Sequence, residues 1–319
     1  MATADQIKSL VKAYIERNDD RFRTVVLQIA AHEARVGHEN FARELKQQID
    51  KMIRNKTNVI NFMANNQMFE MKTPLYDLSE LIVSDEINDK IRRILNEYRN
   101  RNKLHSYGLM NRRKILLEGL PGTGKTLTAT IIASELSLPL YVVQMDKLVS
   151  KFMGETSTKL RQVFDSIASM TGVYLFDEFD AIGADRSLDN EVGEMRRILN
   201  SLLQFIEQDV SESIIVAATN NTKLLDQALF RRFDDVLHYT LPNESEIRRL
   251  FEYKLESYDS SINVTDKVVK SAKGLSQAEI VRVCDDVIKY SILDDVRINS
   301  SNIIRFLEER HTIYTSKEA

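Results

Sequence analysis

One cysteine, Cys284, stands among 319 residues, so no disulfide framework is possible within the chain. That suits a reducing compartment, and a cytoplasmic location is expected. Cys284 lies in an amphipathic helical stretch, where a buried, chemically inert thiol is expected. Histidine is scarce too. The five residues are scattered, and His32-Glu33 is followed by Val36 where an H-E-x-x-H zinc site needs histidine. No G-x-S-x-G stretch occurs, so no protease centre of either kind is expected in the chain. No apolar run approaches the roughly 18 residues of a membrane span. Met1 to Leu10 is polar and acidic where a signal peptide needs an apolar core, so no membrane partner is expected. Basic excess is missing as well: a formal net charge of -3 and a pI near 6.1 argue against a dedicated nucleic-acid binder. Neither an internal repeat nor a low-complexity tract is present.

What remains is a chain with 43% hydrophobic residues, long enough for about two domains. From Asp5 to about Ile53, apolar residues recur at helical spacing in three blocks, broken near Asn18-Asp19-Asp20 and Gly37-His38-Glu39. Phe22, Val25, Val26, Ile29 and Ala30 share a face of the second block; Phe41, Leu45, Ile49 and Met52 share one of the third. A three-helix bundle over residues 1–54 follows, suited to recognising a substrate or partner. Asparagine then recurs at 55, 58, 61, 65 and 66, a poor helix former, so residues 55–76 read as a linker.

After Asp77 short apolar runs alternate with amphipathic stretches. Strands are expected at Ile115 to Glu118, Leu140 to Val143, Val173 to Phe176, Ile214 to Ala218 and Val236 to Tyr239. The pattern specifies an α/β domain over 77–241, with a parallel sheet of about five strands covered on both faces. From Pro242 only helical blocks appear, so 242–319 reads as an all-α subdomain. The first strand runs into Gly119-Leu120-Pro121-Gly122-Thr123-Gly124-Lys125-Thr126, a phosphate-binding loop of the form G-x-x-x-x-G-K-[ST], and Leu127 opens the helix that follows. Glycines let consecutive backbone N–H groups turn around phosphates, and the helix adds the positive end of its dipole. Lys125 is expected to reach the β- and γ-phosphates of a nucleoside triphosphate and the Thr126 hydroxyl to hold Mg²⁺.

About fifty residues on, the apolar strand Val173-Tyr174-Leu175-Phe176 ends in Asp177-Glu178. Asp177 suits Mg²⁺ and Glu178 the polarisation of an attacking water. A further strand ends at Thr219-Asn220, where an amide reaches both water and γ-phosphate; alone, such an asparagine is a turn former. The adjacent Arg231 and Arg232 are either a solvated surface pair or an arginine finger acting in trans, which requires an oligomer.

The order and spacing of these motifs resemble the AAA clade of the AAA+ ATPases from about Asp77 onward. The resemblance implies ATP hydrolysis, a homo-oligomer of six subunits, sensor 1 at Asn220, a finger at Arg232 aided by Arg231, and a lid after Pro242. Gly274-Leu275-Ser276-Gln277-Ala278-Glu279 resembles the clade's G-[FY]-S-G-A-[DE] lid signature, with Ala278 where other AAA+ branches keep an arginine; Gly274 and Ala278 are implied to contact nucleotide. Ile82, within Leu81 to Val83, lies where the family's linker packs on adenine. Two departures stand out: a contracted Phe-Arg-Arg-Phe-Asp-Asp stretch, and Gln277 in place of glycine.

Lys151-Phe152-Met153-Gly154-Glu155, between the second strand and its helix, resembles pore loop 1, whose aromatic and apolar side chains grip an extended polypeptide. Read alone, a Phe-Met pair is core. The polar stretch from Ala184 to Val192 is either a second pore loop or a solvated surface loop. The resemblance thus implies an ATP-driven unfoldase ring acting on protein, with a separately encoded subtilisin-like serine peptidase as a further partner. The other class kept open is an ATP-gated assembly switch that does not thread.

Overall fold

The computed structural model describes residues 4–15, 19–38, 40–47, 68–148, 153–179, 189–220, 230–259 and 262–315. The chain divides into two units, Met1–Gln67 and Met68–Ala319.

In the first unit, α1 (Ala4–Ile15) packs on α2 (Asp19–Arg35), and α3 spans residues 40–47. Val25, Val26, Ile29 and Ala30 are buried, as the helical spacing of the second block requires. The third block differs: Phe41 is exposed, while Ala42 is buried and Leu45 half-buried. The buried stripe of α3 is thus rotated from the one expected; Ile49 and Met52 lie outside the described residues.

In the second unit, six strands form one sheet: β1 (Phe69–Lys72), β2 (Lys114–Gly119), β3 (Leu140–Val143), β4 (Val173–Phe176), β5 (Ile214–Thr219) and β6 (Asp235–Tyr239). Their order is β1-β3-β4-β5-β2-β6, parallel except for β1. β1 corrects the reading of 55–76 as linker throughout. Phe69 pairs opposite Val143 and Lys72 opposite Leu140, and the Phe69 ring meets Tyr174 and Tyr141 edge-on at 5.6 and 6.2 Å.

The helices are α4 (Asp85–Arg99), α5 (Arg101–Ser106), α6 (Lys125–Glu135), α7 (Met145–Leu148), α8 (Met153–Ser169) and α9 (Asp189–Gln208). The sheet is covered on both faces, as continuous apolar strands demand. Ile91, Ile94 and Leu95 of α4 and Ile131 and Ile132 of α6 form one core with Ile115, Leu117 and Val216. On the other face, Phe164 of α8 stacks on Phe176 at 6.0 Å and on Phe205 of α9 at 5.2 Å. The buried Arg113 guanidinium binds the carboxylate and carbonyl of Asp209, tying the start of β2 to the chain leaving α9.

Met153 and Gly154 fall inside the first turn of α8 rather than in a preceding loop, and Asp189 to Val192 open α9. Lys151, Phe152 and residues 184–188 lie outside the described residues.

The remaining helices are α10 (Glu244–Glu256), α11 (Asp266–Ser271), α12 (Gln277–Asp294) and α13 (Ser300–Thr315). They close on a second core containing Phe251, Val268, Ile280, Val283 and Leu307. The segment 81–83 joins the two cores: Leu81 and Val83 pack under the sheet, Ile82 in the helical subdomain. No helix among the described residues is long and apolar enough to cross a membrane.

Candidate nucleotide site

β2 stops at Gly119 because the chain must turn where the end of β6 presses against it. Gly119 has φ +145°, and a Cβ there would overlap the Tyr239 carbonyl oxygen. Tyr239 is itself fixed by a 2.6 Å hydrogen bond between its hydroxyl and that of Thr128 on α6. Burial raises the Tyr239 phenol far above its ordinary range, so it stays neutral there. The turn delivers Gly124 to the N-cap of α6, and the backbone from Pro121 to Leu127 lines a cleft of about 550 Å³. Thr123 is fully buried, its hydroxyl donating to the Leu120 carbonyl at 2.7 Å.

Lys125 is nearly buried. Its ammonium donates to the carbonyls of Gly119 and Leu120, each at 2.8 Å. A cation resting on two neutral carbonyls, beside N–H groups at a helix start, fits a polyphosphate. The Thr126 hydroxyl donates to Asp177 Oδ2 at 2.8 Å across the end of β4. Among the described residues no group of three His, Cys, Asp or Glu is placed to hold a metal ion. A hydroxyl and one carboxylate suit Mg²⁺, which keeps several waters and takes substrate phosphate oxygens.

Glu178 follows with φ +50°, left-handed backbone for a residue that is not glycine. Its N–H donates to Asp177 Oδ1 at 3.0 Å, and its carboxylate is exposed to the cleft. Asn220, just past β5, donates from Nδ2 to Glu178 Oε1 at 3.5 Å. Because β5 lies between β4 and β2, Asn220 sits between the acids and the phosphate loop.

The far wall comes from the helical subdomain and the 76–82 segment. Ile82 and Ala278 line it, with Leu250, Lys254, Val281 and Arg282. The Ala278 N–H donates to the Gly122 carbonyl at 2.9 Å. Gly122 has φ +77°, and a Cβ there would stand 2.5 Å from Ser276 Oγ, so the two walls meet at a point where only glycine fits. Gly274 does not line the cleft; with φ +92° it serves the turn between α11 and α12. Lys254 and Arg282 were not singled out from sequence. For Arg282 the available signal was its place one helical turn after Ala278.

Arg231 and Arg232 lie elsewhere, just before β6 and therefore at the amino ends of the strands. Arg231 is exposed; Arg232 is half-buried, with Nε 3.7 Å from Glu207 Oε2 on α9. From Asp235, opposite Ile115, to Tyr239, opposite Gly119, the sheet rises roughly 3.3 Å per residue. The arginines are thus separated from their own cleft by the length of a strand, which exceeds the reach of a side chain.

A phosphate loop, an acid pair two strands away and an amide on the strand between them define a P-loop nucleoside triphosphatase. Residues 115–241 match the AAA family, the ATPase family associated with various cellular activities. An uncharacterized AAA family ATPase of Sinorhizobium fredii is 33% identical over 304 residues, covering 92% of this chain and 91% of that one. A 26S proteasome regulatory subunit homolog of Methanothermobacter marburgensis is 28% identical over 268 residues, 82% of this chain and 70% of that one. An ATP-dependent zinc metalloprotease FtsH of Sphaerobacter thermophilus is 30% identical over 250 residues, 74% of this chain but 37% of that one. The chain belongs to the AAA family and is an ATP hydrolase.

Proposed function

We propose that this ATPase works as a ring of six identical subunits that threads protein through a central pore, gripping it with Lys151, Phe152, Met153 and Gly154. The observation that carries the reading is the division of the site. The cleft opens at the carboxyl ends of the strands, while Arg231 and Arg232 stand at the amino ends. An arginine finger on this chain therefore serves a neighbour's nucleotide. Each cleft is completed only by assembly, and that couples hydrolysis to subunit movement.

Within a cleft, Lys125 leaves its two carbonyls for the β- and γ-phosphates, and the loop N–H groups hold the phosphate chain. Thr126 and Asp177 would hold Mg²⁺, which supplies charge neutralisation for the phosphates. Glu178 orients and deprotonates the attacking water, with Asn220 steadying its carboxylate. Met153 and Gly154 of the gripping stretch form the first turn of α8, and α8 packs on β4 and α9. Changes at Asp177-Glu178 on the end of β4 thereby reach the pore.

Two named relatives agree with a protein substrate: one is described as a proteasome regulatory subunit homolog, the other as an ATP-dependent protease. The His32-Glu33 stretch lacks the second histidine of a zinc protease site, so cleavage of threaded protein falls to a separate chain. That this chain is a subtilisin-like serine peptidase rests on the resemblance of the contracted Phe-Arg-Arg-Phe-Asp stretch to bacterial family members. The test is Phe152→Ala, with ATPase rate and ATP-dependent unfolding of a green fluorescent protein bearing a long unstructured tail measured together. The expected outcome is a rate within about threefold of wild type with unfolding abolished, because the change removes grip and leaves the hydrolytic groups intact. Unfolding at the wild-type rate would contradict threading and favour an ATP-gated assembly switch.

A further inference from the structure

The helical wall of the cleft carries a cation that the hydrolytic machinery described above does not use. Arg282 lines the cleft on α12, one turn beyond Ala278, whose N–H is bonded to Gly122 of the phosphate loop. Four residues of helix rise about 6 Å and return to the same face, so Arg282 projects beside the point where α12 touches the loop. Its side chain is 64% exposed and has one ion pair, Nη1 to Glu279 Oε1 at 3.3 Å. Glu279 is nearly buried, and its other oxygen is held by Arg310 Nε from α13. Glu279 therefore keeps a partner when Arg282 leaves. The arginine end of the pair is open to solvent and its 3.3 Å contact is long, while Glu279 is already bonded to Arg310, so a stronger anion displaces Arg282.

We propose that Arg282 binds the phosphate chain of the nucleotide from the lid of the same subunit. The inference rests on the ATP cleft and not on threading. A guanidinium presents paired donors to phosphate oxygens, and such charge-assisted bonds strengthen with the charge of the ligand. ATP is accordingly favoured over ADP, and nucleotide loading draws α12 toward the phosphate loop.

The test is titration of the full chain with fluorescent ATP and ADP analogues at two salt concentrations, for wild type, Arg282→Gln and Arg282→Lys. Expected for Arg282→Gln is a loss of about tenfold in ATP affinity, a smaller loss for ADP and a flatter salt dependence. Arg282→Lys regains part of the loss, and the melting temperature without nucleotide stays unchanged. ATP affinity of Arg282→Gln within about twofold of wild type would overturn the proposal. So would equal losses for ATP and ADP with a lowered melting temperature, which mark a structural role. A wild-type chain that bound neither analogue would overturn the cleft assignment itself, whatever the result of the unfolding test on Phe152→Ala.

Discussion

Glu178 holds left-handed backbone at φ +50°, a conformation costing a non-glycine residue about 1–2 kcal/mol. The hydrogen bond from its N–H to Asp177 offsets part of that cost and aims the carboxylate at the open cleft. For Glu178→Gln we expect ATP binding within about threefold of wild type and phosphate release slowed at least 100-fold. Analogue titration and a steady-state phosphate assay check this; turnover near the wild-type rate would remove Glu178 as the base. The acid pair was legible because a strand of four apolar residues ending in two carboxylates has few structural uses. The strain was not, because nothing in the letters marks a non-glycine residue for positive φ. Lys254 and Arg282 were missed for a different reason: a helical wall brings them to the cleft, and their neighbours in sequence carry no motif. Gly274 carries its motif and, with φ +92°, also makes the turn before α12. Cys284 matches its sequence reading, buried with its thiol pushed up to about 12 by the loss of solvent.

The parallel strands were readable because both faces are covered, which leaves near-continuous apolar runs such as Ile214 to Ala218. β1 escaped because it is a four-residue edge strand, Phe-Glu-Met-Lys, in which only Phe69 is buried. Its place in the sheet is decided by contacts with Tyr141 and Tyr174, some seventy and a hundred residues away. Removing that ring tests the assignment. Phe69→Ala is expected to lower the unfolding free energy by about 3 kcal/mol in urea titration, the lower end for a buried phenylalanine. A change below about 0.5 kcal/mol is what a surface or linker position gives, and would return 69–72 to the linker. The start of α8 was misplaced because Met153 and Gly154 were read with the loop before them. The stripe on α3 was misjudged because a short block with Phe41, Ala42 and Leu45 fits two rotations of the helix equally well.

In the proposed ring, function depends on a distance set by the sheet. β2 and β6 run side by side from the arginine end to the phosphate-loop end, so one subunit's cation and its own nucleotide stay a strand length apart. Ile82 adds the internal link, since the segment that lines the cleft is anchored in both cores. Motif order carried the AAA family in the sequence, whereas the separation of arginines from cleft needed the strand register. Cryo-electron microscopy of Glu178→Gln with ATP and casein joins these strands of the account. A six-membered ring or spiral is predicted, with Arg231 or Arg232 of each subunit at its neighbour's phosphates and extended peptide density beside Phe152. Isolated subunits, or a closed ring whose pore holds no peptide and whose Phe152 is buried, would contradict it.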